Sequence, residues 1–106
     1  MTESDYNQLY EKTIDNLESR LDEIGPDFDY LTEQGILTLS FDNGTKVIIN
    51  KQTPLLQLWV ASAGGGHHFD YDETSQQWID DKTKESLIPA LNRYVSDQSG
   101  EEIKFN

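Results

Sequence analysis

The sequence predicts an α+β fold: an α-β sandwich with two helices packed on one face of a mainly antiparallel sheet of five to six strands. Three observations predict it. Apolar residues recur every three to four positions near both ends of the chain, they alternate with polar residues through the middle, and Asn, Asp, Gly and Pro separate the alternating runs. A helix, a run of strands and a helix bury their apolar faces as two layers, with one sheet face left to water. At 106 residues the chain is expected to be a single domain, 1–106, with one modest core. Hydrophobic residues are only 35% of it, which makes an acidic disordered chain the alternative. The two tryptophans, five tyrosines and four phenylalanines, set in periodic runs, argue for a folded domain.

The first element is a helix over 4–24, where Tyr6, Tyr10, Ile14, Leu17, Leu21 and Ile24 form one stripe and Gly25-Pro26 stops it. The period then changes to two. Phe28 and Tyr30 alternate with Asp27 and Asp29 in a short first strand, and Gln34-Gly35 turns the chain. A second strand follows over 36–41. Asp42-Asn43-Gly44 is a hairpin turn in which Asn and Gly accept positive φ. Residues 45–50 are a third strand, and Pro54 breaks the chain before a fourth over 57–62. Gly64-Gly65-Gly66 reads as a flexible loop, 67–71 as a fifth strand and 77–80 as a short sixth. A second helix over 84–98 carries Leu87, Ile88, Leu91, Tyr94 and Val95 on one stripe, tolerates Pro89 near its start, and ends at Gly100 before a tail.

The charge is lopsided. Ten of the twenty acidic residues fall in the first 33 positions, opposed there only by Lys12 and Arg20, in a chain of formal net charge −12. Glu11, Asp15, Glu18 and Asp22 share a helical face away from the apolar stripe. Like charges at these spacings weaken a helix by a few tenths of a kcal/mol per pair. Such a surface repels nucleic acid and anionic membranes, and it favours metal cations or a basic protein patch. The chain has no cysteine, so disulfides and thiolate chemistry are excluded. It lacks a secretory pattern and any apolar run of membrane-spanning length, and the expected setting is the cytoplasm.

Few motifs carry chemistry. If Leu58 and Val60 face the helices, strand parity puts Gln57 and Trp59 on the open face, where an exposed Trp is a binding anchor; the opposite parity makes Trp59 core. Core packing is the expected role of Trp78. His67 and His68 are strand neighbours that point to opposite faces, so they cannot share one ion. The glycines precede a strand rather than a helix, so they are no phosphate cradle. If the first strand lies at the sheet edge beside the helix, the helical acids join Asp27, Asp29 and Glu33 in one ridge. Its oxygens suit hard cations, held weakly for want of a cage. No serine or acid–base pair stands out as catalytic.

The segment Asn50-Lys51-Gln52-Thr53-Pro54-Leu55-Leu56-Gln57-Leu58-Trp59 resembles the central motif of the frataxin family, and the likeness continues to His68-Phe69-Asp70 and Trp78. Leu17-Glu18-Ser19-Arg20-Leu21-Asp22-Glu23 resembles the acidic end of that family's first helix, and Gly35-Ile36-Leu37-Thr38-Leu39 and Asp42-Asn43-Gly44 fit its early strands. The likeness spans nearly the whole chain, and its length resembles the bacterial branch. It implies an α-β-α sandwich that binds ferrous or ferric iron (Fe2+/Fe3+) weakly and reversibly and regulates iron–sulfur cluster assembly without being an enzyme. The implied partners are a cysteine desulfurase and an iron–sulfur scaffold protein, met by a monomer, with iron-dependent oligomers as a variant. The implied iron-binding residues are Asp15, Glu18, Asp22, Glu23, Asp27, Asp29 and Glu33. The implied partner contacts are Glu18, Asp22, Asn50, Gln57, Trp59 and His68. Ser19 stands where the family commonly has an acid, and His68 where eukaryotic members carry Arg, whose fixed fork His cannot reproduce. An iron-oxidising or iron-storage protein is the rival reading.

Overall fold

The computed structural model describes residues 1–106 in the order α1 (Glu3–Ile24), β1 (Asp29–Glu33), β2 (Ile36–Ser40), β3 (Lys46–Gln52), a 3-10 turn (Thr53–Leu55), β4 (Gln57–Ser62), β5 (Gly65–Asp72), β6 (Gln77–Asp80) and α2 (Leu87–Ser99). The six strands form one sheet in chain order, each antiparallel to the next. Both helices cover one face, as expected, and strand alternation sorts the rest. Leu37, Leu39, Val47, Ile49, Leu58, Val60, Phe69 and Trp78 are buried under the helices.

Helix α1 starts where the Thr2 hydroxyl accepts the Asp5 amide at 3.1 Å, satisfying one of the first-turn donors. It stops at Gly25, whose φ of 60° suits a residue without Cβ. Its stripe of Tyr6, Tyr10, Ile14, Leu17 and Leu21 is buried, and both phenols are satisfied. The Tyr6 hydroxyl donates to the Gln57 carbonyl at 2.5 Å and accepts the Gln52 amide at 3.1 Å. The Tyr10 hydroxyl donates to the Gly35 carbonyl at 2.5 Å. The two tyrosines therefore fasten α1 to one end of the sheet, where β2 and β4 begin. Burial pushes the Tyr10 phenol far above its ordinary range. In α2, Leu87, Ala90, Leu91 and Val95 are buried, and Pro89 falls in the first turn, where its missing N–H breaks no helical bond.

Five local expectations change. The first strand runs from Asp29 to Glu33, and Phe28 instead packs edge-on against Phe41 at 4.9 Å ahead of it. In the β2–β3 turn only Gly44 takes positive φ (83°); Asn43 works through its side chain, which accepts the Thr45 amide at 3.0 Å and donates to the Gln98 carbonyl at 2.9 Å. The glycine run is no loop: β5 begins at Gly65, and the chain turns on Ala63 and Gly64. Helix α2 begins at Leu87 rather than at 84, because Ser86 still bridges to Ile79 at the sheet edge. The tail is part of the core. Ile103 and Phe105 are buried, held by amide bonds to Ser96 Oγ (2.9 Å) and Asn92 Oδ1 (2.8 Å) on α2.

Candidate functional site: an acidic helix face and an open sheet face

The apolar stripe of α1 points into the core, so the helix turns its acids outward. Asp15, Asp22 and Glu23 are exposed and Glu18 is half-buried. Little in the protein neutralises them. Glu23 meets Arg20 at 3.4 Å in an exposed pair, while Glu11, Asp15, Glu18 and Asp22 have no ion-pair partner. Arg20 is partly diverted, since its Nε donates to the Lys104 carbonyl at 2.9 Å. Asp22 accepts the Tyr30 hydroxyl, and that bond, with the charges of Asp22 and Glu18, raises the Tyr30 phenol above its ordinary value.

Strand β1 lies at the sheet edge, as the ridge required, yet its acids divide. Tyr30 points to the helix side. Asp29, Leu31 and Glu33 alternate with it and are exposed on the open face, around a shallow depression shared with Ile36, Thr38, Ser40 and Lys46. The expected continuous ridge is thus two acidic surfaces on either side of one edge strand. Asp27 belongs to neither. It sits where the α1–β1 link passes the end of α2, its amide donating to the Glu101 carboxylate at 3.1 Å. No three His, Asp or Glu side chains converge into a metal cage, so the seven candidate iron ligands offer an open surface.

On the open face the parity question resolves. Leu58 and Val60 are buried, so Trp59 faces outward and is half-buried. Cross-strand register sets Asn50, Trp59 and His68 side by side on β3, β4 and β5. The Trp59 ring stacks on His68 at 4.2 Å with 16° between the planes. Trp59 Nε1 donates to Gln57 Oε1 at 2.9 Å, and Gln57 Nε2 donates to Asp70 Oδ1 at 3.0 Å. Asn50 remains exposed. The four open-face candidates are therefore contiguous, and stacking and hydrogen bonds hold Trp59 in one orientation. Trp78 is core, as expected, with its Nε1 donating to Thr13 Oγ1 at 2.9 Å.

Sequence reading missed Tyr30, which joins the helix acids to the edge strand; strand parity opposite Asp29 was the available signal. It also missed buried Asp80, whose Oδ1 accepts the Lys82 and Thr83 amides at 2.8 and 3.1 Å and whose Oδ2 lies 3.9 Å from His67 Nδ1. His67 and His68 do face opposite sides of the sheet.

Two helices on one face of a six-stranded antiparallel meander, an acid-faced first helix and an outward Trp on the uncovered face define a frataxin-like sandwich. The profile described as a frataxin-like domain matches residues 1–101, and this chain belongs to the frataxin family. It is similar to the iron-sulfur cluster assembly protein CyaY of Pseudomonas fluorescens (strain Pf0-1), with 42% identity covering 99% of this chain and 96% of the relative. The CyaY of Pseudomonas putida (strain W619) is also 42% identical, over 100% of this chain and 96% of its own. Among solved structures, the frataxin of Psychromonas ingrahamii, from the CyaY protein family, superposes with a TM-score of 0.92 at 38% identity, covering 100% of this chain and 99% of the other. No helix is long and apolar enough to cross a membrane.

Proposed function

We propose that this protein is an iron-binding adaptor that regulates iron–sulfur cluster assembly and does no chemistry of its own in that process. Its relatives carry iron-sulfur cluster assembly in their name. The observation that carries the reading is the α1 face, where Glu11, Asp15, Glu18 and Asp22 lack a cationic partner within the protein. Charges left open in this way stay available to a cation or to a basic patch on a cysteine desulfurase, raising the encounter rate and setting orientation. Glu18 and Asp22 serve both roles. The Asn50, Gln57, Trp59 and His68 surface supplies short-range recognition of the desulfurase or the scaffold, with Trp59 as anchor. Iron is cargo here, held weakly by Asp15, Glu18, Asp22 and Glu23 on the helix, and by Asp29 and Glu33 across the edge strand. Asp27, on the α1–β1 link with its backbone amide bonded to Glu101, is the weakest candidate.

Iron and desulfurase then compete for one surface. Titrating purified desulfurase in the cytoplasmic salt range, with and without ferrous iron, should show weaker binding in its presence. Equal affinity in both arms would remove the shared-surface reading. Light scattering in the same samples separates an adaptor, which stays monomeric, from an iron store, which grows into large particles. Stopped-flow oxidation would reveal an iron-oxidising protein.

A further inference from the structure

We propose that Ser62, His67 and Asp80 act together as a nucleophile, a base and its positioning carboxylate, giving the protein a slow acyl-transfer activity toward small esters. This inference is independent of the cluster-assembly reading. The three residues lie on successive strands β4, β5 and β6, and all point to the helix side of the sheet. Ser62 shares parity with buried Leu58 and Val60, His67 is registered opposite Val60, and Asp80 is registered opposite buried Phe69.

The geometry follows the order such chemistry needs. Ser62 Oγ is 3.2 Å from His67 Nε2, and His67 Nδ1 is 3.9 Å from Asp80 Oδ2. Asp80 is buried and cannot swing away, because its other oxygen accepts two backbone amides. The contact between Nδ1 and Oδ2 is an electrostatic pair longer than a hydrogen bond. It still favours the tautomer with its proton on Nδ1, which leaves the Nε2 lone pair for the serine. Tyr94 of α2 stacks on the imidazole at 4.5 Å with 16° between planes, fixing the ring from the other side. Access is open. His67 and Ser62 are only half-buried, and a Cβ built at Gly65 or Gly66 beside them would meet nothing within 4 Å.

In the proposed step Ser62 Oγ attacks the ester carbonyl and its proton passes to His67 Nε2. The carbon–oxygen bond to the alcohol breaks as that proton moves to the leaving oxygen, and an acyl-serine remains. Water, deprotonated by the same nitrogen, then releases the acid and restores Ser62. Ester and water become acid and alcohol, with no other reactant.

The test incubates the full chain with p-nitrophenyl acetate and maps acetylation by peptide mass spectrometry, taking lysine acetylation in the same sample as an internal reference. The proposal expects an acetyl group on Ser62. His67→Gln should lower the Ser62-to-lysine ratio about tenfold or more, the lower range of general-base effects. Asp80→Asn should lower that same ratio. Ser62→Ala should abolish the excess p-nitrophenol release while circular dichroism stays unchanged. Acetylation confined to lysines, or Ser62 acetylation indifferent to His67→Gln, would overturn the proposal. Because His67→Gln alone decides it, a poorly folding Asp80 variant does not blunt the test.

Discussion

The two tryptophans show how one residue type is put to opposite uses. Trp78 is buried with its N–H bonded to Thr13, whereas Trp59 lies on the uncovered face, held by His68 and Gln57. Trp78→Ala should cost about 3–5 kcal/mol, the usual range for emptying an aromatic core site, and Trp59→Ala below about 1.5 kcal/mol. Urea unfolding checks both, and Trp59→Ala should weaken partner binding although the protein stays folded. Asp80 supplies a pH signature. Burial opposes its ionisation, but the Lys82 and Thr83 amides outweigh it and, with His67 nearby, hold the carboxyl below its ordinary range. A depressed carboxyl contributes stability above its unfolded value of about 3.9, and that contribution disappears as pH falls through the lower folded value. The stability gap between the native chain and Asp80→Asn should therefore shrink as pH falls below about 4. A gap that widens between about pH 4 and about pH 2 would contradict the assignment.

At the scale of elements, α1, α2 and the antiparallel run were legible because each holds a period long enough to recognise. The spacing of Tyr6, Tyr10, Ile14, Leu17 and Leu21 admits only one buried face. The tail was not legible, because Ile103 and Phe105 are two apolar residues in a short acidic segment and set no period. Their burial depends on Asn92 and Ser96, one helical turn apart on α2, offering side-chain oxygens to the passing amides. Phe105→Ala should accordingly destabilise the domain by about 3 kcal/mol, a core-sized effect read from the urea midpoint. A loss within about 0.5 kcal/mol would mean the tail is merely laid on the surface. The division of the acidic ridge escaped sequence reading for another reason. Asp29 and Glu33 are acidic whichever way they point; their alternation with Tyr30 was the one sequence signal. The register of Tyr30 opposite buried Leu39 and its bond to Asp22 show that they point away from the helix. The pairing of His67 with Asp80 likewise depended on the β5–β6 register, which adjacent residues do not encode.

The whole molecule carries −12 with few internal ion pairs, and only the Arg20–Glu23 contact touches the acidic helix face. Self-repulsion on that scale lowers the stability of the compact state. Raising ionic strength to about 0.15 M shortens the Debye length to about 8 Å, so the isolated protein should become more stable with salt, seen as a rising Tm. Its complex with a basic partner should weaken over the same range. The contrast separates the two uses of charge, since a surface kept acidic only for solubility would show the first trend without the second. The most direct measurement is the desulfurase affinity of the Glu18→Lys/Asp22→Lys double variant beside the native chain, across that salt range. The account predicts a loss of at least about tenfold at low salt, converging with the native affinity as salt rises. Equal affinities at every salt concentration, in a variant that remains folded, would contradict it.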